Sequence, residues 1–485
     1  MDTPFISFER IVHTNGNCIA IQSKNTKYSY NELYNRILEV SSTLIEYGIK
    51  KGDKVSIHIA NSAEFVIYLF ALAKIMAVPI AFDPNLPANQ IEKVLKKYKI
   101  GKHIGPRNIL GKFSPVTNVL NFNNDYYIFQ SREPKPHFNK MNTWGIVLFT
   151  SGTISGVPKP VFKQWQKLAI EFQAYQKIVK LDTNDKVLCF PPFYHAYGLM
   201  CGVIPALLAG ATLYVGNINS TSKNLQMLLS ESIPTIVIAI PYLIDIFCRF
   251  HIINSNFITN LRYCFSAGAP LLVSTAQKFK ELTGIFPSNL YGSTETGTIS
   301  IDFDFIMSEK YCSAGKPIDC IKCTIVDDDK RELENGSMGE VIISGTSVCS
   351  EYIGDQSIRN NQCDNEIYYS GDIGLIDDNG NLQICGRKKD LINVSGEKIN
   401  PLIIEEVLLE HPDVEKVAVL GVEDRYSGER VKAFIIASKN LNDKDIFSYC
   451  RKRLSMPQIP KEIVFVDNFP TTSTGKILKS ELKNV

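Results

Sequence analysis

Two spacings of apolar residues alternate along most of the chain. Asn31–Tyr47 and Ala63–Met76 carry them three and four apart, which predicts helices; Lys54–Ile59 and Val78–Phe82 are short β-branched runs that predict strands. Lys186–Phe190, Thr235–Ile240 and Leu261–Ser266 are further strand-length runs bounded by Pro or Gly. Alternation of this kind predicts an α/β fold, with helix-flanked parallel sheets through most of the first 385 residues. The most apolar stretch, Leu199–Val215, is interrupted by Gly202, Pro205 and Gly210 and falls short of the about 20 residues of a membrane helix. A buried helix running into the strand Ala211–Val215 is expected there, and no transmembrane segment.

The texture changes near Gly386. Asp377-Asp378-Asn379-Gly380 makes a turn between strands Gly374–Ile376 and Asn381–Cys385, and Gly386-Arg387-Lys388-Lys389-Asp390 is charged enough for a hinge. The remainder reads as one small α+β unit: helix Leu402–Glu410, strands Lys416–Val422 and Val431–Ala437, helix Lys444–Leu454 and strand Glu462–Phe465. Two domains are expected, 1–386 and 387–485.

Composition narrows the class. In 485 residues, 52 basic and 50 acidic side chains leave a net charge of +2, so no global field favours nucleic acid or an anionic membrane. The 12 cysteines are too scattered for a disulfide framework and the N-terminus has no signal-peptide pattern, so a cytoplasmic location is expected. Cys320 and Cys323 form a C-x-x-C inside the strand-like run Ile321–Val326 without two further ligands, which favours a structural strand over zinc.

Five segments carry candidate chemistry. Leu148-Phe-Thr-Ser-Gly-Thr-Ile-Ser-Gly-Val-Pro-Lys159 follows the apolar run Gly145–Phe149; its hydroxyls, glycine N–H groups and Lys159 could surround phosphate, although a plain surface loop has the same composition and the Walker pattern is absent. Leu290-Tyr-Gly-Ser-Thr-Glu-Thr-Gly297 offers Tyr291 to a base, Thr294 to a phosphate and Glu295 to Mg²⁺, or is merely a strand end and a turn. In Tyr369-Ser-Gly-Asp-Ile-Gly374, Asp372 after a tight turn could accept a ribose diol or cap the turn. Gly386–Pro401 combines a basic start, an apolar centre and a glycine, as a hinge would. Pro470-Thr-Thr-Ser-Thr-Gly-Lys476 puts a lysine in a polar loop near the C-terminus. S-x-x-K occurs three times (Ser220/Lys223, Ser395/Lys398, Ser473/Lys476) without companion motifs, so a serine hydrolase is set aside.

In this order the five segments resemble the motifs of the adenylate-forming superfamily, which includes acyl-CoA synthetases, nonribosomal adenylation domains and firefly luciferase. The likeness runs from about residue 15 to the C-terminus. It implies a large N-terminal domain of helix-flanked β-sheets and a small mobile α+β C-terminal lid. It implies a nucleotide site of Thr150, Ser151, Gly152, Thr153 and Lys159 (the pyrophosphate loop), Gly268, Ala269 and Pro270 beside adenine, and Tyr291 with Gly292 against the base. Asp372 and Arg387 match ribose-binding positions, and Lys398 a position that often contacts phosphate. Thr294, Glu295, His195 and Lys476 are the implied catalytic set, with Glu295 holding Mg²⁺ and His195 beside the acyl pocket; a satisfied core histidine is the competing reading of His195. Lys389 falls on the hinge, and Ser395, Gly396 and Glu397 on the face that would admit a thiol. The pyrophosphate loop departs from the family pattern by one extra residue, Ile154 or Ser155, and by Pro160 where a glycine is usual.

The resemblance implies that a carboxylate attacks the α-phosphorus of ATP, that pyrophosphate leaves, and that the lid then turns so a thiol can take the acyl group. Amino-acid-activating relatives place an aspartate where Phe193-Tyr194-His195 stands; its absence favours an acid without an α-amine. The acceptor expected is coenzyme A, with the phosphopantetheine of an acyl carrier protein as the alternative. A phosphotransferase and a non-catalytic nucleotide-binding relative are the rivals.

Overall fold

The computed structural model describes residues 3–98, 100–110, 116–121, 126–131, 144–150, 159–250, 252–253, 255–305, 313–348, 351–352, 363–364, 366–437, 441–471 and 476–482. Among them lie three sheets, of fourteen, eight and five strands.

The expected elements form where the pattern places them, with small shifts at their ends. Tyr30–Glu46 is a helix opened by a capping box, in which Ser29 and Glu32 satisfy each other's backbone N–H groups. Ala63–Lys74 is a helix buried on all sides and capped by Ser62, as its continuous apolar run requires. The apolar stretch near residue 200 is a π-helical turn, Gly198–Val203, then the helix Ile204–Ala209 and the strand Thr212–Val215. No helix among the described residues is long and apolar enough to cross a membrane.

The largest sheet changes character partway across. Ile19–Gln22, Thr212–Val215, Lys186–Cys189, Ile236–Ala239, Tyr263–Ser266 and Ser288–Ser293 are parallel neighbours, carried by helical crossovers. From Ser288–Ser293 onward every step to Gly297–Asp302, Ser313–Pro317, Leu382–Arg387, Ile367–Ile376, Gly339–Gly345 and Ile321–Val326 is antiparallel. The flanked parallel arrangement expected for most of the first 385 residues therefore does not extend to the described strands between 288 and 387, which are antiparallel neighbours. Short turns such as Asp377–Gly380 can join antiparallel neighbours but not parallel ones. Cys323 faces inward on Ile321–Val326 with Ile321 and Ile325, and the Cys320 thiol donates to Ser347 Oγ at 3.5 Å.

The second sheet pairs Val78–Ala81 with Lys54–Ile57 and, on its other side, with Gly145–Phe149; Pro160–Gln164 follows as an antiparallel neighbour. The chain crosses from Leu382–Arg387 through the short turn Lys388–Asp390 into the third sheet, which begins at Ile392–Val394. There Val414–Asp424 and Gly428–Ala437 form a long hairpin, packed on the helix Pro401–Leu409.

Inside the second sheet Ser56 Oγ bridges His58 Nε2 at 2.8 Å and His103 Nδ1 at 2.7 Å, both imidazoles being fully buried. Burial pushes the His103 pKa down to about 3. An unfolded histidine titrates near 6.5, so below that pH the unfolded chain binds a proton that the folded chain refuses. Stability is complete above pH 6.5 and is lost as the pH falls. His103 alone should remove about 2 kcal/mol between pH 7 and 5. Urea midpoints measured across that range should fall, and His103→Gln should flatten the dependence; an unchanged slope contradicts the assignment.

Candidate active site

The hairpin of Ser288–Ser293 and Gly297–Asp302 lies where the large sheet turns from parallel to antiparallel. Its turn is held by side chains: Ser293 Oγ accepts the Thr296 N–H at 3.1 Å and shares a hydrogen bond with Thr296 Oγ1 at 2.9 Å. Gly297 closes the turn at φ +78°, a left-handed conformation that favours glycine. Thr294 and Glu295 are thereby fixed in the turn, each 6% exposed. Tyr291 lies one strand position before the half-open Gly292 side of the hairpin, with its hydroxyl donating to Asp372 Oδ2.

Asp372 follows Gly371, which takes a left-handed φ of +69°. It sits inside the ten-residue strand Ile367–Ile376, directly opposite Arg387 in the neighbouring strand. The Ser370 hydroxyl accepts its N–H at 3.0 Å, and Arg387 Nε lies 2.8 Å from its Oδ1. One carboxylate thus engages Tyr291 and Arg387 through its two oxygens, and its remaining lone pairs are what a ribose diol could use. Burial is the largest single influence and works against the Arg387 charge, but Asp372, Tyr368, Tyr291 and Asp390 together outweigh it, so the guanidinium pKa lies above its ordinary value. The same burial, with Asp372 beside it, pushes the Tyr291 phenol well up, so it remains a donor.

The pyrophosphate loop is described at its stem. The Thr150 N–H bonds to the Lys159 carbonyl at 3.0 Å, closing the ladder of Gly145–Phe149 and Pro160–Gln164. Pro160 takes the first position of its strand, where a missing N–H costs least. Ser151, Gly152 and Thr153, like the extra residue at Ile154 or Ser155, lie outside the described residues. Gly268, Ala269 and Pro270 follow the strand Tyr263–Ser266 as a solvent-facing rim.

His195 begins the turn that leads into the π-helical segment. Its Nδ1 accepts the Tyr197 N–H at 3.4 Å, which leaves Nε2 to carry the proton. Burial lowers its pKa to about 4 against the opposing charge of Asp83, so the imidazole is neutral near pH 7. Asn61 fixes this segment from beneath. Its amide donates to the carbonyls of Phe190, Pro191 and Gly216, and its Oδ1 accepts the Phe193 N–H at 2.7 Å. Asn61 was not foreseen, because an asparagine two residues before a helix reads as an ordinary cap.

The small lobe brings Lys476 to the large one. Its segment is tied down by Thr471 bridging Ile477, by the buried Leu482 and by Lys479, whose ammonium reaches Glu405 at 2.6 Å and the Val419 carbonyl at 3.0 Å. Lys476 is exposed at its surface, yet enough protein surrounds its ammonium that desolvation, then the nearby Arg387, lowers its pKa; Asp390 and Asp372 act in the opposite sense. Lys389 lies in the Lys388–Asp390 turn. Lys398 faces Asp328 at 3.8 Å, and Lys388 holds the same carboxylate at 3.0 Å. Ser395, Gly396 and Glu397 form an exposed turn in which the Ser395 N–H bonds to Ser427 and the Gly396 N–H to Asn393.

The structure thus brings Tyr291, Asp372, Arg387 and Lys476 together, and leaves Lys398 and the Ser395–Glu397 turn at the lid surface. Glu295 is a buried hard-oxygen donor, and among the described residues no group of three ligating side chains could hold a metal ion. A single carboxylate suits Mg²⁺, which takes one or two carboxylates and draws its other ligands from phosphates and water.

The chain is thus two-lobed, with a large lobe of two sheets and a small one that carries Lys476 toward Asp372 and Arg387. Residues 8–353 match the family model described as AMP-binding enzyme, and residues 403–476 match the AMP-binding enzyme C-terminal domain. The chain belongs to the AMP-binding enzyme family. It is 26% identical to 4-coumarate–CoA ligase 3 of Arabidopsis thaliana, over 96% of this chain and 88% of that protein. It is 25% identical to the medium-chain fatty-acid–CoA ligase of Escherichia coli, over 96% and 86%. The fold matches an o-succinylbenzoate CoA synthetase from Bacillus subtilis in complex with its acyl-adenylate intermediate, at a TM-score of 0.86 and 21% identity, covering 100% of this chain and 98% of the other.

Tyr291→Phe should weaken nucleotide binding by about 10- to 100-fold, the value of one hydrogen bond to a charged group. Asp372→Ala, which also strands Arg387, should cost about 100-fold or more. Calorimetric titration with Mg·ATP reads both, and equal affinities in the two variants contradict the shared-carboxylate geometry.

Proposed function

We propose that the chain activates a carboxylic acid with ATP and passes the acyl group to coenzyme A. The observation that carries this reading is the Asp372 carboxylate shared between Tyr291 and Arg387, with Lys476 of the small lobe close enough to feel the charges of Arg387 and Asp372. The named functions of the relatives, CoA ligases acting on 4-coumarate, medium-chain fatty acids and 2-succinylbenzoate, support it. So does a solved relative, the same CoA synthetase from Bacillus subtilis with ATP and a magnesium ion, at a TM-score of 0.84.

The chemistry follows from the leaving group. A carboxylate cannot expel oxide, but it can expel AMP once it has been adenylated. The first step joins a carboxylate oxygen to the α-phosphorus and breaks that phosphorus's bond to the bridging oxygen; the electron pair leaves with pyrophosphate. No general base is needed, because a carboxylic acid is already ionised near neutral pH. The protein's work is to hold two anions in line and to balance their charge. Tyr291, Gly268, Ala269 and Pro270 flank the base, Asp372 takes the ribose, and Thr150, Lys159 and Thr294 face the phosphates. Mg²⁺ held through Glu295 would neutralise phosphate charge. Lys476, with its pKa lowered in the protein-lined crevice, regains a favourable environment when a carboxylate and an α-phosphate arrive together. Neutral His195 offers an Nε2–H to the acid at no cost in charge.

In the second step the thiol sulfur attacks the acyl carbon and AMP leaves. The Ser395–Glu397 turn is solvent-facing in the present arrangement, so the thiol route requires the lid to turn about Lys389. Gly396, at φ +90°, lets that turn present bare backbone to a pantetheine arm. The substrate is an acid without an α-amine, since Phe193-Tyr194-His195 supplies no carboxylate for an ammonium group.

Acid-dependent exchange of labelled pyrophosphate into ATP, followed by mass detection of the thioester, tests the whole scheme. Thioester on coenzyme A is expected; thioester on carrier-protein phosphopantetheine alone would replace the acceptor. ADP as product, or no exchange over a broad acid panel, would overturn the ligase reading. Lys476→Ala should cut exchange by about 100- to 1000-fold while Mg·ATP still binds.

A further inference from the structure

Two charges lie in the core between the nucleotide-binding segments and take no part in the scheme above. Lys163, in the strand that leaves the pyrophosphate loop, has no exposed surface, and Glu171, on the helix Trp165–Val179, is 2% exposed. Their ion pair spans 3.2 Å from Lys163 Nζ to Glu171 Oε2. The other oxygen of the carboxylate, Oε1, accepts the Thr298 N–H at 2.8 Å. Thr298 is the second residue of Gly297–Asp302, immediately after the turn that carries Thr294 and Glu295. The fit is close: a Cβ at Gly297 would fall 2.1–2.2 Å from the Glu171 carboxylate.

A buried ion pair is a poor way to gain stability, because apolar residues of similar volume commonly do as well or better. The same elements also pack through apolar side chains: Val161 from the Lys163 strand, Ala174 from the helix and Ile299 from the hairpin share one cluster. A purely structural joint could have been completed with one more aliphatic contact. What an aliphatic group cannot do is accept the Thr298 N–H while taking a cation from the opposite strand. We propose that Glu171 is a positioning residue for the turn that carries Thr294 and Glu295, with Lys163 as its counter-charge, so that the pair sets that turn against the stem of the pyrophosphate loop. Removing the acceptor frees the hairpin just after Glu295, on the side opposite the Ser293–Thr296 bonds. The inference rests on the nucleotide reading of the two segments.

Neutral double variants separate the charge from the acceptor. Lys163→Met with Glu171→Gln removes both charges and keeps an amide oxygen for Thr298. Lys163→Met with Glu171→Met removes the acceptor as well. Thermal unfolding establishes that each is folded; should the methionine pair fail, Lys163→Met with Glu171→Asn, one methylene too short to reach Thr298, gives the same contrast. The Gln pair should stay within about threefold of the wild type in kcat/KM for Mg·ATP in pyrophosphate exchange, and the acceptor-less pair should lose about tenfold or more. The KM for the carboxylic acid should not move in either. Mg·ATP affinity measured by calorimetry should show the same order. Two folded double variants that behave alike, or losses spread equally over ATP and acid, overturn the proposal. A wild type that binds Mg·ATP in this order but exchanges no pyrophosphate overturns the ligase reading and leaves the positioning role standing.

Discussion

The Asp372 carboxylate is the constraint on which the site turns. It stands opposite Arg387, holds the Tyr291 hydroxyl, and faces the approach of Lys476. Those partners come from three places: the hairpin where the large sheet reverses, the last strand of the large lobe, and the far end of the small lobe. The antiparallel half of the sheet makes this possible. Strands 81 residues apart in sequence bring Tyr291 and Asp372 within hydrogen-bond reach, because the strands between them fold back on one another. A continued parallel sheet would have needed a helix at each step and would have carried Asp372 away from the base-binding edge.

The same strand leads straight into the hinge. Arg387 ends Leu382–Arg387, and the next three residues form the turn between lobes. Arg387 therefore stands two residues before Lys389, the proposed pivot. Lys388 is held to Asp328 and Glu340, and Lys398 faces the same Asp328, so the lid side of the pivot is docked on the hairpin between Ile321–Val326 and Gly339–Gly345. These pairs are exposed, and solvent-exposed pairs contribute little net stability. A contact of that weakness can hold one lid orientation without opposing a change to another.

Much of the fold was legible because single periods carry it. Amphipathic spacing gave a helix over Asn31–Tyr47, which forms as Tyr30–Glu46. Continuous apolar runs gave Ala63–Lys74 and the buried parallel strands, and the small lobe's alternation of helix and strand was read in order. The antiparallel region was misread, since strand pattern alone does not say which neighbour a strand will choose. The tight turn expected before Asp372 is a local bend inside one long strand, where the Ser370 hydroxyl donates to the Val341 carbonyl and accepts the Asp372 N–H. The candidate site residues were visible as polar side chains in short glycine-rich segments. Asn61, Lys163 and Glu171 were not, because each works through backbone groups more than a hundred residues away in sequence or through a partner in another element.

Lys476 shows why such a site is built from two lobes. In the proposed scheme, a lysine fixed permanently beside Asp372 and Arg387 would favour the adenylate in both steps, including the one in which it must be given up. On a lobe joined through three residues, that scheme lets the same ammonium be withdrawn when the thiol enters. Desolvation makes this exchange asymmetric. The crevice lowers the lysine's pKa while it holds no substrate anion, and Arg387 adds to that cost; a bound carboxylate and phosphate reverse it. The closed arrangement is thus stabilised most when both anions are present. The differential interaction that shifts the lid equilibrium comes from the substrates themselves, as any ligand-driven population shift requires.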